Sequence, residues 1–512
     1  MAFRYRSRQR TFPRMMNLTK KLNLDWKWIF RQSCKHLLTK YLIQIVVNIL
    51  ILLLLYGIEE LVKVIGIKVP SSVILMLGNF AFLILLSWAS PKLFGLYEKA
   101  TFPTLELHLK WMNLYFVPSF IRLPLSDAIS VREAFMIMAI FIIGYVVLFA
   151  LVLWVLILWE TLESRRKKND EEKCEDETQV VPPVEKGGVM AVDSTEDVCS
   201  NECASDSDLD SKTDHSSIDL LNNIVDYTIF FVIFIVGIPL FLKFHVALFL
   251  YLSITVLVFK TILEKTPKRY AKIFHPLIFT VGFTWFFMQI FNWISKTVSF
   301  QDSLRLYSTG RTYLYLFDES QYHSQWPGAG DFLVSLLDIS IVSLSIPCFR
   351  LRKELYQNFI KLMSICTSAA VGCFFLYPLI SYHLGVKAPR ALAFMGRSVT
   401  MALGKPLIAN IDGSVDLFSC TTLISGLLGV YLGDHMIRLL GWSKRHSSNI
   451  ITVGMVLGIN CGAVATAHLL NTNPRAAAFS SLSFVIYGLV MVIMSCIPGL
   501  VDIIHKIVSF QT

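Results

Sequence analysis

Long uncharged apolar stretches alternate with short polar ones along most of the 512 residues. The run YLIQIVVNILILLLLYGI at 41–58 is close to the roughly 20 helical residues that cross a hydrocarbon layer. Segments at 41–62, 70–90, 105–121 and 133–159 make a first set of four. The third is the weakest, since Glu106, His108 and Lys110 occupy its start. A second set falls at 222–243, 246–263, 275–296, 332–349, 359–384, 417–440, 450–470 and 477–504, with a less regular segment at 390–411. Backbone in lipid must bond within its own segment or a closed barrel, and runs of this length select helices. The pattern predicts an all-α polytopic membrane protein with about twelve transmembrane helices in two bundles.

Between the sets, residues 161–220 have almost no apolar content and read as an acidic disordered linker. Residues 1–40 form a basic N-terminal tail, leaving 41–160 and 221–512 as two membrane domains. The tail holds eleven Lys or Arg against Asp25, while 161–219 holds seven basic against seventeen acidic residues. The net charge of +10 therefore describes membrane topology and is no nucleic-acid-binding surface. Arg-rich, acid-poor starts also occur in mitochondrial presequences, so the mitochondrial inner membrane is one candidate address. Arginines at 4, 6, 8 and 10 followed by Pro13 make a poor amphipathic helix, which favours a plain basic tail.

Composition agrees, with 54% hydrophobic and only 16% charged residues. The ten cysteines show no paired spacing or histidine neighbours, so neither a metal nor a disulfide framework is expected. Catalytic motifs are also missing: there is no HExxH, GxSxG, Walker A or dinucleotide fingerprint, hence no catalytic residues and no cofactor. A secondary carrier or a channel remains, with membrane lipid as a partner, a small substrate, and self-association left open.

The most informative stretch is 397–481. Within it GMVLGINCGAVATAHLLN spaces Gly454, Gly458, Gly462 and Thr466 four apart, a face for close helix packing. Asn460, Cys461, Thr466, His468 and Asn471 are the polar positions of that run, and polar groups at membrane depth face a partner or a water-filled cavity. Carrier sites form where membrane helices are interrupted, often in paired inverted repeats. Candidate breaks are Pro347, the segment with Gly404 and Pro406, and Pro474, so the second bundle is expected to have interrupted helices and room for an internal inverted repeat. Arg397, beside Ser398 and Thr400, has two readings. It can grip a carboxylate through paired hydrogen bonds, or it can be an interfacial arginine in company with Lys387 and Arg390.

Six short motifs, in order, resemble a bacterial LrgA/CidA protein followed by an LrgB/CidB protein. Val69-Pro70-Ser71-Ser72-Val73-Ile74-Leu75-Met76 is similar to P-G-S-V-I-G-M, and Leu114-Tyr115-Phe116-Val117-Pro118 to L-F-V-P. His275-Pro276-Leu277-Ile278 resembles N-P-L-L, and Ser343-Leu344-Ser345-Ile346-Pro347 resembles A-L-A-x-P. Arg397-Ser398-Val399-Thr400 is similar to K-S-V-T, and Ala478-Phe479-Ser480-Ser481 to A-F-S-S. The resemblance covers about 60–160 and 246–500. Fused chains of this kind are similar to a plastid glycolate/glycerate translocator and to fungal LrgB-like proteins. It implies an LrgA-like four-helix domain at 41–160, an LrgB-like domain at 221–512, and transport of small carboxylates such as glycolate, glycerate or pyruvate. The alternatives it leaves are a holin-like pore or membrane-integrity protein, or a non-transporting regulator. Met401-Ala402 stands where the family has T-P, Gly462 replaces its histidine, His468 an arginine, and Asn471 an acidic residue.

Overall fold

The computed structural model describes residues 26–66, 69–126, 129–178, 206–267, 276–296, 298–315, 326–441 and 449–509. Most of the basic tail, the middle of the acidic segment with Cys199 and Cys203, and His275 lie outside the described residues. In chain order the helices are α1 (Trp26–Ile65), α2 (Ser71–Ala89), α3 (Pro91–Tyr115), α4 (Val117–Ile121), α5 (Val131–Thr178), α6 (Asp206–Phe244) and α7 (Leu248–Lys265). Then come α8 (Pro276–Ser295), α9 (Phe300–Tyr307), α10 (Ala329–Ser343), α11 (Ser345–Arg350), α12 (Arg352–Gln357) and α13 (Phe359–His383). The last are α14 (Ala388–Ala393), α15 (Met401–Asn410), α16 (Val415–Leu440), α17 (Ile450–Thr472), α18 (Pro474–Ser495) and α19 (Pro498–Ile507). The described residues contain helices, turns and loops, and no strand.

Among the described residues, ten helical segments are long and apolar enough to span a membrane. Two expected spans do not reach that standard. The stretch at 105–121 belongs to α3 and α4, where Lys92, Glu98, Lys99, Glu106 and Lys110 interrupt the apolar run. The stretch at 246–263 is α7, which carries Lys260, Glu264 and Lys265. Lys260 is buried and donates to Asp226 of α6 at 2.6 Å, and Tyr41 of α1 donates to the same carboxylate. The charge that shortens the apolar run thus ties α7 to α6, whose Asp226 also holds α1. Helices α5 and α6 extend into the 161–220 segment as far as Thr178 and from Asp206.

Burial orders the helices. In α17, 83% of the apolar window is buried, against 11% in α1 and α6, whose Leu, Ile and Val side chains point outward. Without water, helices in lipid associate by close packing, and small residues set the contact. A Cβ on Gly454 would lie 2.5 Å from the Ala476 carbonyl oxygen, and one on Gly458 2.5 Å from that of Ser480, so α17 and α18 touch backbone to backbone. From the other side α16 presents Gly426, Gly429 and Gly433 to Val464, Cys461 and Leu457 of α17.

The two sets of helices share one buried core. Helices α2 and α3 pack on α10 and α11, with Asn79 donating to Ser345 at 2.8 Å. Helix α5 packs on α13, α16 and α17. Its Glu160 accepts from Asn449 at 2.7 Å and from Thr452, and lies 3.5 Å from the buried amine of Lys361.

Candidate functional site

The less regular segment at 390–411 is a chain of short pieces. Helix α14 and a 3-10 turn at Phe394–Gly396 precede residues 397–400, and α15 begins at Met401. No side chain caps the start of α15. Opposite this segment α17 is itself broken. Gly462 has φ 58° and ψ −146° in the middle of an otherwise helical run, a conformation that L side chains rarely adopt. A Cβ there would sit 3.1 Å from the Ser398 carbonyl oxygen and 3.4 Å from Cγ2 of Thr400. The two unwound segments, 397–400 and Gly462, therefore cross in contact, and the residues on both sides of the crossing are buried.

Arg397 lies at this crossing and is fully buried, which rules out the interfacial reading. Its expected companion Arg390 instead pairs with Glu133 of α5 at 2.5 Å. The Arg397 guanidinium donates from Nε to Tyr377 Oη at 2.7 Å, and more weakly to Ser425 Oγ at 3.4 Å and the Gly144 carbonyl at 3.3 Å. Tyr377 in turn donates to the Gly144 carbonyl at 2.8 Å. The rings of Tyr145 and Tyr377 lie 5.5 and 5.1 Å from the guanidinium carbon, within cation–π range. No carboxylate pairs with Arg397 among the described residues. A buried cation held only by neutral groups has its charge spread by hydrogen bonds and ring faces, without cancellation.

The other candidates divide by position. Ser398 donates to Tyr487 Oη at 3.1 Å, and Thr400 is buried at the start of α15. Cys461, one residue before the break, lies 3.3 Å from Tyr145 Oη. Asn460 is fully buried and donates to the Val456 carbonyl, while its own Oδ1 has no partner. Thr466 is held by the Gly462 carbonyl at 3.0 Å and Ser480 Oγ at 2.6 Å. His468 and Asn471 lie six and nine residues past the break, about 9 and 13 Å along a helix, and Asn471 is exposed. The structure thus brings Arg397, Ser398, Thr400, Cys461 and Gly462 together, with Asn460 adjoining, and sets His468 and Asn471 apart.

The candidate breaks fall elsewhere than Gly462. Pro347 lies in the first turn of α11, just after α10 ends at Ser343, and Pro474 is the first residue of α18. Gly404 and Pro406 are inside α15, where a Cβ on Gly404 would overlap the Phe418 ring. Sequence reasoning missed Tyr145, Tyr377, Gly144, Ser425 and Tyr487, all from helices distant in the chain.

A crevice of about 320 Å³ runs between α5 and α13, lined by apolar side chains such as Val147, Leu151, Ile365 and Leu376. Its lining also includes Gly144 and Tyr377, two of the groups that hold Arg397. No group of His, Cys, Asp and Glu that could hold a metal occurs among the described residues.

Residues 253–500 match the model of the LrgB-like family. This LrgB-like segment contains both crossing interruptions and every polar partner of Arg397 except the Gly144 carbonyl. An uncharacterised protein of Haemophilus influenzae is 22% identical over 161 residues, 31% of this chain and 68% of that protein. The chloroplastic plastidal glycolate/glycerate translocator 1 of Arabidopsis thaliana is 21% identical over 174 residues, 34% of this chain and only 33% of the translocator. The holin-like protein CidB of Staphylococcus aureus (strain Mu50) is 23% identical over 194 residues, 38% of this chain and 81% of CidB. No solved structure matches. These similarities and the ten apolar helices support an integral, multi-pass membrane transporter or holin-like protein.

Proposed function

We propose that the chain is a secondary carrier of small organic carboxylates, of the size of glycolate, glycerate or pyruvate. Arg397 carries this reading: it is a wholly buried cation with no acidic partner among the described residues, placed where two interrupted helices cross. A carboxylate arriving there would cancel a charge that burial makes costly, and the guanidinium fork suits its two oxygens. The uncapped start of α15 adds backbone N–H groups that favour an anion. The unpartnered Oδ1 of Asn460 offers an acceptor for a hydroxyl of the same small molecule. Residues 41–160 act in this reading as an LrgA-like scaffold, and α5 contributes the Gly144 carbonyl and Tyr145 ring.

The test is uptake into proteoliposomes containing the full chain. Saturable uptake of labelled glycolate, glycerate, lactate or pyruvate, each competing with the others, is the expected result. Leak of unrelated solutes would instead establish a holin-like pore, and no flux at all would favour a regulator. Arg397→Met should abolish uptake with the folded yield preserved, since a similar-sized apolar side chain replaces a buried ion with little cost. Unchanged uptake in that variant would remove Arg397 from the site.

A further inference from the structure

A second ionisable group lies inside a membrane span and is untouched by the Arg397 site. Asp338 sits in α10, the start of the span Ala329–Arg350, and is only half-buried. An acidic side chain within a span is costly and rare unless it serves a pathway or a partner. The Tyr313 hydroxyl donates to Oδ2 at 3.2 Å from a 3-10 turn at Tyr313–Tyr315, and Ser72 is a second side-chain hydrogen-bond partner. No cation lies within ion-pair distance of Asp338 among the described residues. Groups from four elements face it: Glu59 of α1, Ser72 of α2, Tyr313, and Lys405 of α15. The field at Lys405 comes from Arg122, Asp338 and Asp331, and its side chain is exposed.

The neighbouring Asp331 makes a useful contrast. It accepts from Gly328, Thr309 and Gly310 backbone N–H groups at 2.8–2.9 Å and from the hydroxyls of Ser308 and Thr309. That carboxylate is saturated and holds the loop before α10 in place. Asp338 instead has the hydroxyls of Tyr313 and Ser72 and the like charge of Glu59 around it, so it is less fully bonded than Asp331. Tyr313 is buried in a satellite core formed by Leu55, Leu83 and Phe102 of the first half with Ile339, Val342 and Ile346 of the second, so Asp338 stands at the seam of the two halves.

We propose that Asp338 is the proton-binding site that couples carboxylate transport to a proton gradient. In the step envisaged, hydronium gives its proton to an Asp338 carboxylate oxygen and leaves as water. The reverse transfer returns the proton to water on the other side. Protonation removes the negative charge that Asp338 places at the seam of the two halves. One carboxylate and one proton then cross together without net charge. This rests on the carrier reading, and the experiment separates the two.

Full-length protein in proteoliposomes is assayed in two modes, counterflow exchange of labelled glycolate or pyruvate at equal pH, and accumulation driven by an acid-outside gradient. The wild type is expected to do both, with accumulation at least tenfold above the no-gradient control. Asp338→Asn should keep exchange and lose gradient-driven accumulation. Tyr313→Phe, a smaller perturbation, should keep both and shift the pH at which accumulation is half-maximal. Gradient-driven accumulation by Asp338→Asn, or none by a wild type that exchanges normally, would overturn the coupling role while leaving the carrier intact. Absence of exchange in the wild type would instead overturn the carrier reading and this one with it.

Discussion

Substituting Gly462 by alanine tests the crossing of the two broken helices directly. At φ 58° and ψ −146° an alanine is strained by about 1–3 kcal/mol. Its methyl would also press on the Ser398 carbonyl oxygen at 3.1 Å and on Thr400 Cγ2 at 3.4 Å. The neighbours must give by a few tenths of an ångström, an overpacking cost on the order of 1 kcal/mol, for a total of about 2–4 kcal/mol. Gly372 in α13 is the matched control, since a Cβ there meets nothing within 4 Å. In a helix interior that change is expected to stabilise by up to about 1 kcal/mol. The two variants should therefore separate by roughly 3–5 kcal/mol in unfolding of the detergent-solubilised chain, with Gly462→Ala lower. Carboxylate uptake should fall further than the loss of folded protein accounts for, because Ser398 and Thr400 move with the strain. Equal stability of the two variants would mean that α17 runs unbroken through residue 462, and the crossing would be refuted.

Two further outcomes follow from particular bonds. Asn460→Leu removes a buried acceptor that has no partner, so stability should be unchanged or raised by about 1 kcal/mol while uptake is lost; clear destabilisation in an unfolding assay would show that Oδ1 is satisfied. Glu160→Gln should destabilise by about 3 kcal/mol, because it leaves the Lys361 amine buried beside a neutral group, and adding Lys361→Met should restore most of that loss in the same assay.

The spans were legible because the length of an apolar run and its charge content decide what crosses lipid, whatever the tertiary arrangement. Helices α3 and α7 fall short of that rule because each carries several charges, some of which bond to neighbouring helices, as Lys260 does to Asp226 and Glu106 to Arg350. Arg397 stood out in the sequence as a cation next to hydroxyls, but the tyrosines that hold it are 20 and more than 200 residues away and left no local signal. Gly462 was harder still. It continues the four-residue spacing of Gly454 and Gly458, and spacing cannot tell a glycine chosen for a close neighbour from one chosen for its backbone angle. Gly454 and Gly458 meet the backbone of α18, whereas Gly462 meets Ser398 across a break.

The Gly144 carbonyl has a consequence for how the site comes into being. It accepts from both Arg397 and Tyr377, yet it belongs to α5, ahead of the acidic segment and outside the LrgB-like match. The guanidinium's surroundings are thus incomplete until the early helices dock on the late ones. During synthesis, Arg397 would enter the membrane with part of its solvation missing. Joining both sets of helices in one polypeptide makes that docking intramolecular, independent of how many copies the membrane contains.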